Sequence, residues 1–119
     1  MGTIRLKRAF DPPRDADGCR FLVDRIWPRG VRKDDLKLDR WLKDAAPSDD
    51  LRRWFGHAET RWPEFAHRYR AELEHKVPVL EPLLDALREG DITLVYAARD
   101  GQRNNAVVLK AFLEALHLL

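Results

Sequence analysis

The sequence is poor in the residues and segments that support disulfide, zinc and membrane chemistry. Cys19 is the only cysteine among 119 residues, so a disulfide within the chain and a cysteine-built zinc site are excluded. No apolar run approaches the roughly 20 residues that cross a bilayer. The first residues lack the basic-then-apolar layout of a signal peptide. We therefore expect a cytoplasmic protein without membrane contact.

The glycine-rich motifs of common nucleotide-binding folds are also missing. The chain has no Gly-x-Gly-x-x-Gly and no P-loop, which argues against Rossmann-type dinucleotide binding and Walker-type ATP binding. Its four histidines are scattered without a His-x-x-x-His pair, so no metal site is predicted. The identity of a cofactor does not follow from these residues.

What the sequence does contain is typical of one globular domain, predicted to span residues 1–119. Hydrophobic residues make up 45% and charged residues 35%, with a net charge of +2. The positive charge is local, because four basic residues and no acid lie between Arg25 and Lys33. This distribution indicates an anion-attracting patch rather than a generally basic nucleic-acid binder.

Alternating and continuous apolar patterns predict three or four strands. The clear ones are residues 4–10, 19–27 and 92–98, and residues 38–43 read as a third short strand or a helical turn. The 92–98 run is almost wholly apolar and β-branched, as in the middle of a parallel sheet. The short loop over residues 11–18 leaves antiparallel pairing of the first two strands open.

Capping residues predict four helices. Ser48 caps the first, which Gly56 ends; Thr60 caps the second; residues 77–88 form the third, with Gly90 as its C-cap. Asn104 or Asn105 caps a last, mostly buried helix that runs to about residue 118. The alternation of helices and a buried strand predicts an α/β fold: a single small domain with a mainly parallel sheet flanked by helices, three-layered and Rossmann-like.

In such folds ligands bind beyond the carboxyl ends of the strands, where polar residues of this chain are concentrated. We expect catalytic groups among the carboxylates and histidine of this edge: Asp24, Asp44, Asp100 and His57. We expect ligand contacts from cations, aromatic rings and helix-cap residues: Arg25, Trp27, Arg29, Lys33, Lys43, Ser48, Tyr96, Arg99 and Asn104.

Structural explanations compete with these assignments. Asp24 and Arg25 could form a buried ion pair that only stabilises the fold. Ser48 is more often a helix cap than a ligand contact. His57 could interact only with the carbonyls at a helix end. Charged residues follow strands in most α/β proteins, so their clustering is by itself weak support for a site.

Four segments together resemble the DUF488 family, in its YeaO-like branch of short bacterial proteins. They are residues 22–30 (LVDRIWPRG), 38–48 (LDRWLKDAAPS), 51–57 (LRRWFGH) and 96–109, which opens YAARD and closes NAVVL. The resemblance implies a small cytoplasmic α/β protein. It places the family's signature polar residues at Asp24, Arg25, Trp27, Arg29, Lys43, Asp44, Ser48, His57 and Asp100. It implies no reaction and no substrate.

Three functions follow as hypotheses. The first is binding of an anionic ligand (a nucleotide, a phosphate ester or a nucleic-acid end) at the carboxyl edge of the sheet, with or without catalysis. The second is a nucleic-acid-binding accessory role, which basic residues interleaved with Trp27 and Trp41 favour. The third is a non-catalytic interaction module in which the last helix forms part of a homodimer face; monomer and homodimer both stay open.

Overall fold

The computed structural model describes residues 2–117, and over this range four strands and five α-helices form around one sheet. The strands are β1 (Ile4–Arg8), β2 (Cys19–Leu22), β3 (Arg40–Trp41) and β4 (Ile92–Tyr96). The helices are α1 (Lys33–Leu36), α2 (Asp49–Phe55), α3 (Trp62–Glu74), α4 (Glu81–Glu89) and α5 (Asn105–His117). The predicted α/β class is confirmed.

All strand pairs in the sheet are parallel, in the order β1-β4-β2-β3. Antiparallel pairing of the first two strands is therefore wrong. β4 lies between them and pairs with both. Ile4 of β1 lies opposite Ile92, and Leu22 of β2 lies opposite Val95. The apolar pattern of β4 follows from this central place, because all five of its residues are buried.

The two faces of the sheet are covered unequally. One face packs against α2, α3, α4 and α5 through a large apolar core, which includes Phe21, Leu94 and Leu109. The other face carries a small cluster in which Leu36 of α1 covers Leu22 and Val95. Since α1 follows β2 on one face and α5 follows β4 on the other, the connections leave these two strands in opposite directions and open a crevice between their carboxyl ends.

Next to this second cluster lies a buried ionic group. Arg20, which is 4% exposed, donates to Asp17 at 2.6 Å and to the carbonyl of Leu36 at 2.9 and 3.1 Å. Lys7 donates to both oxygens of Asp17 at 3.0 Å. The hydroxyl of buried Thr93 donates to the Asp17 carbonyl at 2.7 Å. These bonds join the loop before β2 to β1, β4 and α1.

The strands are shorter than the apolar patterns predict. β2 ends at Leu22 rather than at residue 27. The last backbone hydrogen bond from this segment to β4 is that of the Val23 N–H to the Val95 carbonyl. Beyond it, the Ala97 N–H donates at 2.9 Å to the Asp24 carboxylate and not to a backbone carbonyl. The segment at residues 38–43 does contain a strand, but only Arg40–Trp41 belongs to it. The short helix α1 has no counterpart in the sequence predictions.

The helix caps follow the sequence in part. The Ser48 hydroxyl accepts from the Leu51 N–H at 3.2 Å, and Gly56 ends α2 in the left-handed conformation. Gly90 is the C-cap of α4, as predicted. The start of the predicted helix, Val77–Leu80, is a separate 3₁₀ turn, and the α-helix itself begins at Glu81. Thr60 is not a cap: it lies inside a 3₁₀ turn, Glu59–Arg61, that leads directly into α3. None of the described helices is long and apolar enough to span a bilayer.

The last helix is anchored to the core through one side. Ala106, Val108, Leu109 and Leu113 are buried, whereas Ala111, Glu114 and Ala115 are exposed. Phe112 and Leu116, which would belong to a dimer face, are half-buried against the core. The predicted end of this helix near residue 118 lies outside the described residues.

Candidate functional site

A small cleft opens at the carboxyl ends of β2 and β4, at the crevice between these two strands. Its volume is about 60 Å³. The lining residues come from the segments after β2 and β4 and from α2, α3 and α5: Asp24, Arg25, Pro47, Arg52, Phe55, His57, Phe65, Ala98, Asn104 and Asn105. This volume suits a few waters or one small anionic group, since one water occupies roughly 10–15 Å³ on this measure.

Asp24 forms the inner polar group of the cleft. One carboxylate oxygen accepts from the Ala97 N–H at 2.9 Å and the other from the Asn105 side-chain amide at 3.1 Å. Burial raises the pKa of this carboxyl, and the two hydrogen bonds and the nearby His57 oppose the increase. The carbonyl of Asp24 is held too, by the Trp41 indole N–H at 2.7 Å. Asp24 is thus fixed in position from three sides.

Arg25 holds the chain that enters α2. Its Nε donates to the carbonyl of Pro47 at 3.1 Å, and its Nη2 donates to the carbonyl of Ala46 at 3.4 Å. The Asp49 carboxylate lies 3.9 Å from Nε. Because these contacts occupy two of the three nitrogens, a ligand in the cleft can meet only the remaining donors.

Asp24 and Arg25 do not form the ion pair that their adjacency suggested. Their side chains bond to different elements, Asp24 to the segments at Ala97 and Asn105 and Arg25 to the segment before α2. The strand-like alternation of neighbouring side chains sends them apart. The explanation of the pair as a mutual structural ion pair is therefore wrong.

Tyr69 of α3 and Lys76, which follows this helix, also hold the same segment. The Tyr69 hydroxyl donates to the Ala45 carbonyl at 2.6 Å, and Lys76 Nζ donates to the Ala46 carbonyl at 2.7 Å. Burial raises the pKa of the Tyr69 phenol and lowers the pKa of the Lys76 ammonium. Three consecutive carbonyls, at residues 45–47, are thus bonded to side chains, which makes this wall of the cleft rigid.

Arg52 and His57 bring positive or titratable groups to the outer part of the cleft. The Arg52 side chain is 42% exposed, and within the described residues its one hydrogen bond or ion pair is a 3.4 Å approach of Nη2 to Asp49. His57 follows the C-cap of α2 and is exposed; it has a φ of 58°, which is uncommon for a residue other than glycine. This turn directs the chain so that His57 lies at the cleft beside the Phe55 ring, at a centroid distance of 5.8 Å.

The remaining walls are mainly apolar. Phe55 and Phe65 stack with ring centroids 4.3 Å apart, and both are buried. Pro47 and Ala98 complete this surface. An anionic group that enters the cleft would therefore meet the Arg52 and His57 side chains at the solvent-exposed outer part, with the apolar walls and Asp24 further in.

Two asparagines at the start of α5 complete the cleft. Asn104 is 2% exposed; its side-chain oxygen accepts from the Val107 N–H at 3.1 Å and its amide donates to the Asp100 carbonyl at 2.9 Å. It is therefore the N-cap that the sequence predicted. Asn105 was missed as a site residue, although it is the partner of Asp24 and also donates to the Val23 carbonyl at 2.9 Å. Only the pairing of β2 with β4 reveals this contact, because the two residues are 81 positions apart.

Several predicted site residues lie elsewhere, so the predicted convergence on one edge is only partial. Lys43 and Asp44 line a separate surface pocket beside Pro78 and Pro82. Lys43 places its ammonium 4.1 Å from the centroid of the Trp41 ring. The 3₁₀ turn Lys43–Ala45 that follows β3 turns both side chains away from the cleft.

Other predicted residues belong to a basic and aromatic groove on the far side of β3. Trp27 and Lys33 line it, and Trp27 contacts Trp41 edge to face with centroids 5.3 Å apart. Arg29 is exposed on the loop that leads to this groove. None of these three side chains lines the cleft among the residues that the structure describes.

The predicted site residues at the end of β4 and in the turn after it also lie in different places. Tyr96 is buried in the core, and burial raises its pKa. Asp100 accepts from the N–H groups of Gln102 and Arg103 at 2.9 and 3.1 Å and pairs with the Arg103 guanidinium at 3.0 Å. These bonds keep the pKa of Asp100 below its usual range. Asp100 thus shapes the turn before α5, and Arg99 is exposed on the same turn.

Ser48 serves as a cap and is bonded on its other side. Its hydroxyl donates to one Glu72 oxygen at 2.6 Å and its N–H donates to the other at 2.8 Å. Ser48 is not among the described residues that line the cleft, so its hydroxyl is not placed to attack a ligand bound there. Within residues 2–117 no three histidine, cysteine or acidic side chains come together in an arrangement that could hold a metal ion.

Comparison with known proteins places the chain in a family. Residues 3–118 match the model for DUF488-N3i, described as the inactive DUF488-N3 subclade. The chain belongs to the DUF488 family. The match covers the Asp24 segment, α2 and the start of α5, so every residue of the cleft lies within the DUF488 region.

Bacterial relatives agree with this assignment. The uncharacterised protein YeaO of Escherichia coli K12 is 40% identical over 113 residues, which are 95% of this chain and 98% of YeaO. The uncharacterised proteins Mb3100c of Mycobacterium bovis and Rv3073c of Mycobacterium tuberculosis are each 43% identical over 110 residues, 92% of both chains. No solved structure matches the chain.

Proposed function

We propose that this DUF488 protein binds a small anionic group, a phosphate or a carboxylate, in the cleft between β2 and β4. The observation that carries the proposal is the placing of Arg25, Arg52 and His57 around one small opening at the crevice between the strands. The volume of about 60 Å³ suits the charged end of a ligand and not a whole nucleotide. The rest of a larger ligand would extend out of the cleft.

Arg52 is the residue that we propose contacts the anion most directly. The guanidinium of Arg25 already donates to the carbonyls of Ala46 and Pro47, so Arg25 mainly holds the wall in place. The Arg52 guanidinium approaches Asp49 at 3.4 Å and makes no hydrogen bond to a backbone carbonyl within the described residues, and a planar guanidinium can bind a carboxylate or phosphate through two parallel bonds.

We further propose that binding occurs without turnover. Asp24 has both of its oxygens engaged as acceptors, and Ser48, whose hydroxyl donates to Glu72, lies outside the described residues that line the cleft. The cleft is lined by no cysteine, serine, threonine or lysine among the described residues, and hence by none of the usual nucleophiles of covalent catalysis other than Asp24 and His57. The description of the matching subclade as inactive supports the same proposal.

The α2 helix offers a matched pair of variants for the test. Arg52 lines the cleft, whereas its neighbour Arg53 is exposed and pairs with Asp50 at 2.8 Å. Isothermal titration calorimetry of the wild type, R52Q and R53Q with inorganic phosphate, acetate and ribose 5-phosphate would measure the affinity. We expect the R52Q variant to lose roughly tenfold or more, which corresponds to one charge-assisted contact, and the R53Q variant to bind as the wild type does.

Equal losses in the R52Q and R53Q variants would show general charge attraction and would contradict a site in the cleft. Absence of binding by the wild type to all three anions at millimolar concentration would also overturn the proposal. For its location we propose the cytoplasm, which the single cysteine and the bacterial relatives support. Fractionation of cells that express a tagged chain would test this location.

A further inference from the structure

A second concave surface, outside the cleft, lies between α1 and the edge strand β3. We name it the tryptophan groove; Trp27, Trp41, Lys33, Lys37 and Arg40 line it, and its volume is about 540 Å³. This volume lies within the range of pockets that hold small organic ligands. The groove is a separate concave surface, because it shares no lining residue with the proposed cleft; the Trp41 indole N–H contacts the Asp24 carbonyl between them.

The aromatic wall of the groove is held rigidly. The Trp27 indole N–H donates to the Val31 carbonyl and the Trp41 indole N–H donates to the Asp24 carbonyl, each at 2.7 Å. The two rings pack edge to face with an interplanar angle of 70°. Both are only partly buried. Rings that are fixed in this way lose little conformational entropy when a flat ligand packs against them.

Cations surround this wall. Lys33, Lys37 and Arg40 are exposed in the groove, and the Lys43 ammonium lies 4.1 Å from the centroid of the Trp41 ring at its border. In the described residues none of Lys33, Lys37 and Arg40 has an acidic partner within salt-bridge distance. Their charge is therefore available to phosphate groups.

The groove also contains carboxylates, which accept hydrogen bonds and therefore restrict the kinds of ligand that fit it. Asp34 and Asp39 line it, and one oxygen of Asp39 is held by the Arg20 N–H at 2.7 Å. These carboxylates disfavour an acidic peptide. They suit the ribose hydroxyls or exocyclic amines of a nucleotide, which donate hydrogen bonds while the phosphate meets the lysines.

We propose that the tryptophan groove binds a nucleotide unit, with its base against the Trp27–Trp41 wall and its phosphate at the lysines and Arg40. Base–aromatic contact and cationic phosphate contacts are the combination by which proteins hold unpaired nucleotides. A free mononucleotide and one unit of a single strand share this chemistry, and the experiment must separate these two sources.

The indole N–H signals in a ¹H–¹⁵N correlation spectrum would test the proposal. The chain has four tryptophans, so Trp54 and Trp62, which line neither the groove nor the cleft, serve as internal references. Titration with AMP and with a hexathymidylate should shift the signals of Trp27 and Trp41 and leave the other two in place. Shifts with AMP identify a free nucleotide, and shifts with the hexamer alone identify a single strand.

Charge variants give the second measurement. K33Q/R40Q should weaken the binding of the responding ligand roughly tenfold by loss of its phosphate contacts, whereas R53Q/R70Q, which changes two exposed arginines elsewhere, should not. For a single strand with two phosphate contacts, affinity should fall about sevenfold between 50 and 200 mM salt.

Three results would overturn the proposal. The first is unchanged Trp27 and Trp41 signals at millimolar AMP and hexamer. The second is an equal shift of the Trp27 signal with ribose 5-phosphate, which lacks the base; Trp27 is used here because Trp41 also contacts the Asp24 carbonyl of the cleft. The third is tighter binding of a polyglutamate peptide, which would indicate an acidic protein partner. In the R52Q variant, AMP or the hexamer should shift the Trp27 signal as in the wild type, because Arg52 does not line the groove. The groove and cleft proposals can therefore fail separately.

Discussion

Asn105 donates to the Asp24 carboxylate at 3.1 Å, and this bond joins the end of β2 to the first residue of α5. The same amide donates to the Val23 carbonyl at 2.9 Å. With the Ala97 N–H on the other oxygen, Asp24 connects the segments that follow two neighbouring strands. This local network builds the inner end of the cleft, and its stability therefore bears on the site as well as on the fold.

The raised pKa of Asp24 predicts a pH-dependent stability. Because the folded pKa lies above the unfolded value of 3.8, the folded protein binds this proton more tightly. The resulting stabilisation is present below the unfolded pKa and is lost as the pH rises through the folded pKa. Urea unfolding at several pH values should thus show D24N gaining stability relative to the wild type as the pH rises above the unfolded pKa of 3.8.

Removal of the Tyr69 hydroxyl should destabilise the wall of the cleft. Y69F leaves the Ala45 carbonyl without its 2.6 Å partner in a buried place. We expect the free energy of unfolding to fall by about 1–3 kcal/mol. Y96F is the matched control, because no hydrogen bond from the Tyr96 hydroxyl is present in the described residues; its effect should stay within about 0.5 kcal/mol. Equal effects of the two variants would contradict this role of Tyr69.

Arg25 should matter for the segment that enters α2. R25A removes the bonds to the Ala46 and Pro47 carbonyls, and we expect a loss of about 1–2 kcal/mol because the side chain is only 26% exposed. Amide hydrogen exchange should accelerate at Leu51, whose N–H is bonded to Ser48. R53A should leave both measurements unchanged. Unaltered exchange at Leu51 in R25A would show that Lys76 and Tyr69 hold the segment without Arg25.

The buried ionic group on the second face should be among the most sensitive places in the fold. D17A leaves Lys7 and Arg20 without their carboxylate, and breaking a buried pair in this way costs about 3–5 kcal/mol. D85A removes only the exposed pair with Arg88, for which we expect less than about 1 kcal/mol. Thermal unfolding followed by circular dichroism would compare the two.

The contribution of Asp17 to stability should change with pH in the opposite direction to that of Asp24. Burial acts to raise its pKa, but hydrogen bonds from the Arg14 N–H, Lys7 and Arg20 outweigh burial and lower it. Its stabilisation is therefore present above the unfolded value of 3.8 and is lost as the pH falls through the folded pKa. On acidification below about pH 4, the wild type should therefore lose more stability than the D17N variant does. Equal losses in the two proteins would contradict this role of Asp17.

Local signals in the sequence were sufficient for several elements. Ser48 and Gly56 bound α2 because a cap side chain and a left-handed glycine act within one helical turn. The continuous apolar run at residues 92–98 indicated a central strand, and β4 is central. Thr60 misled because a 3₁₀ turn precedes α3, and a side chain that resembles a cap does not reveal such a turn.

The composition of the cleft depended on contacts that no local pattern contains. Asp24, Arg25, His57 and Asn104 do line it, whereas Lys43 and Asp44 are turned away by the turn after β3, and Asp100 is occupied by its own loop. Asn105 enters through a pairing across 81 residues.

The sequence by itself determined that this is an α/β protein with a mainly parallel sheet, polar strand ends and a family-specific Asp24–Gly30 segment, because periodicity, caps and composition act over short distances. The tertiary structure decided that β4 separates β1 from β2 and that Asp24 and Arg25 bond to different elements. It also decided that the basic and aromatic residues divide between a cleft and a groove. These outcomes depend on strand order and on which chain segments meet, and both are set by packing between residues far apart in the chain.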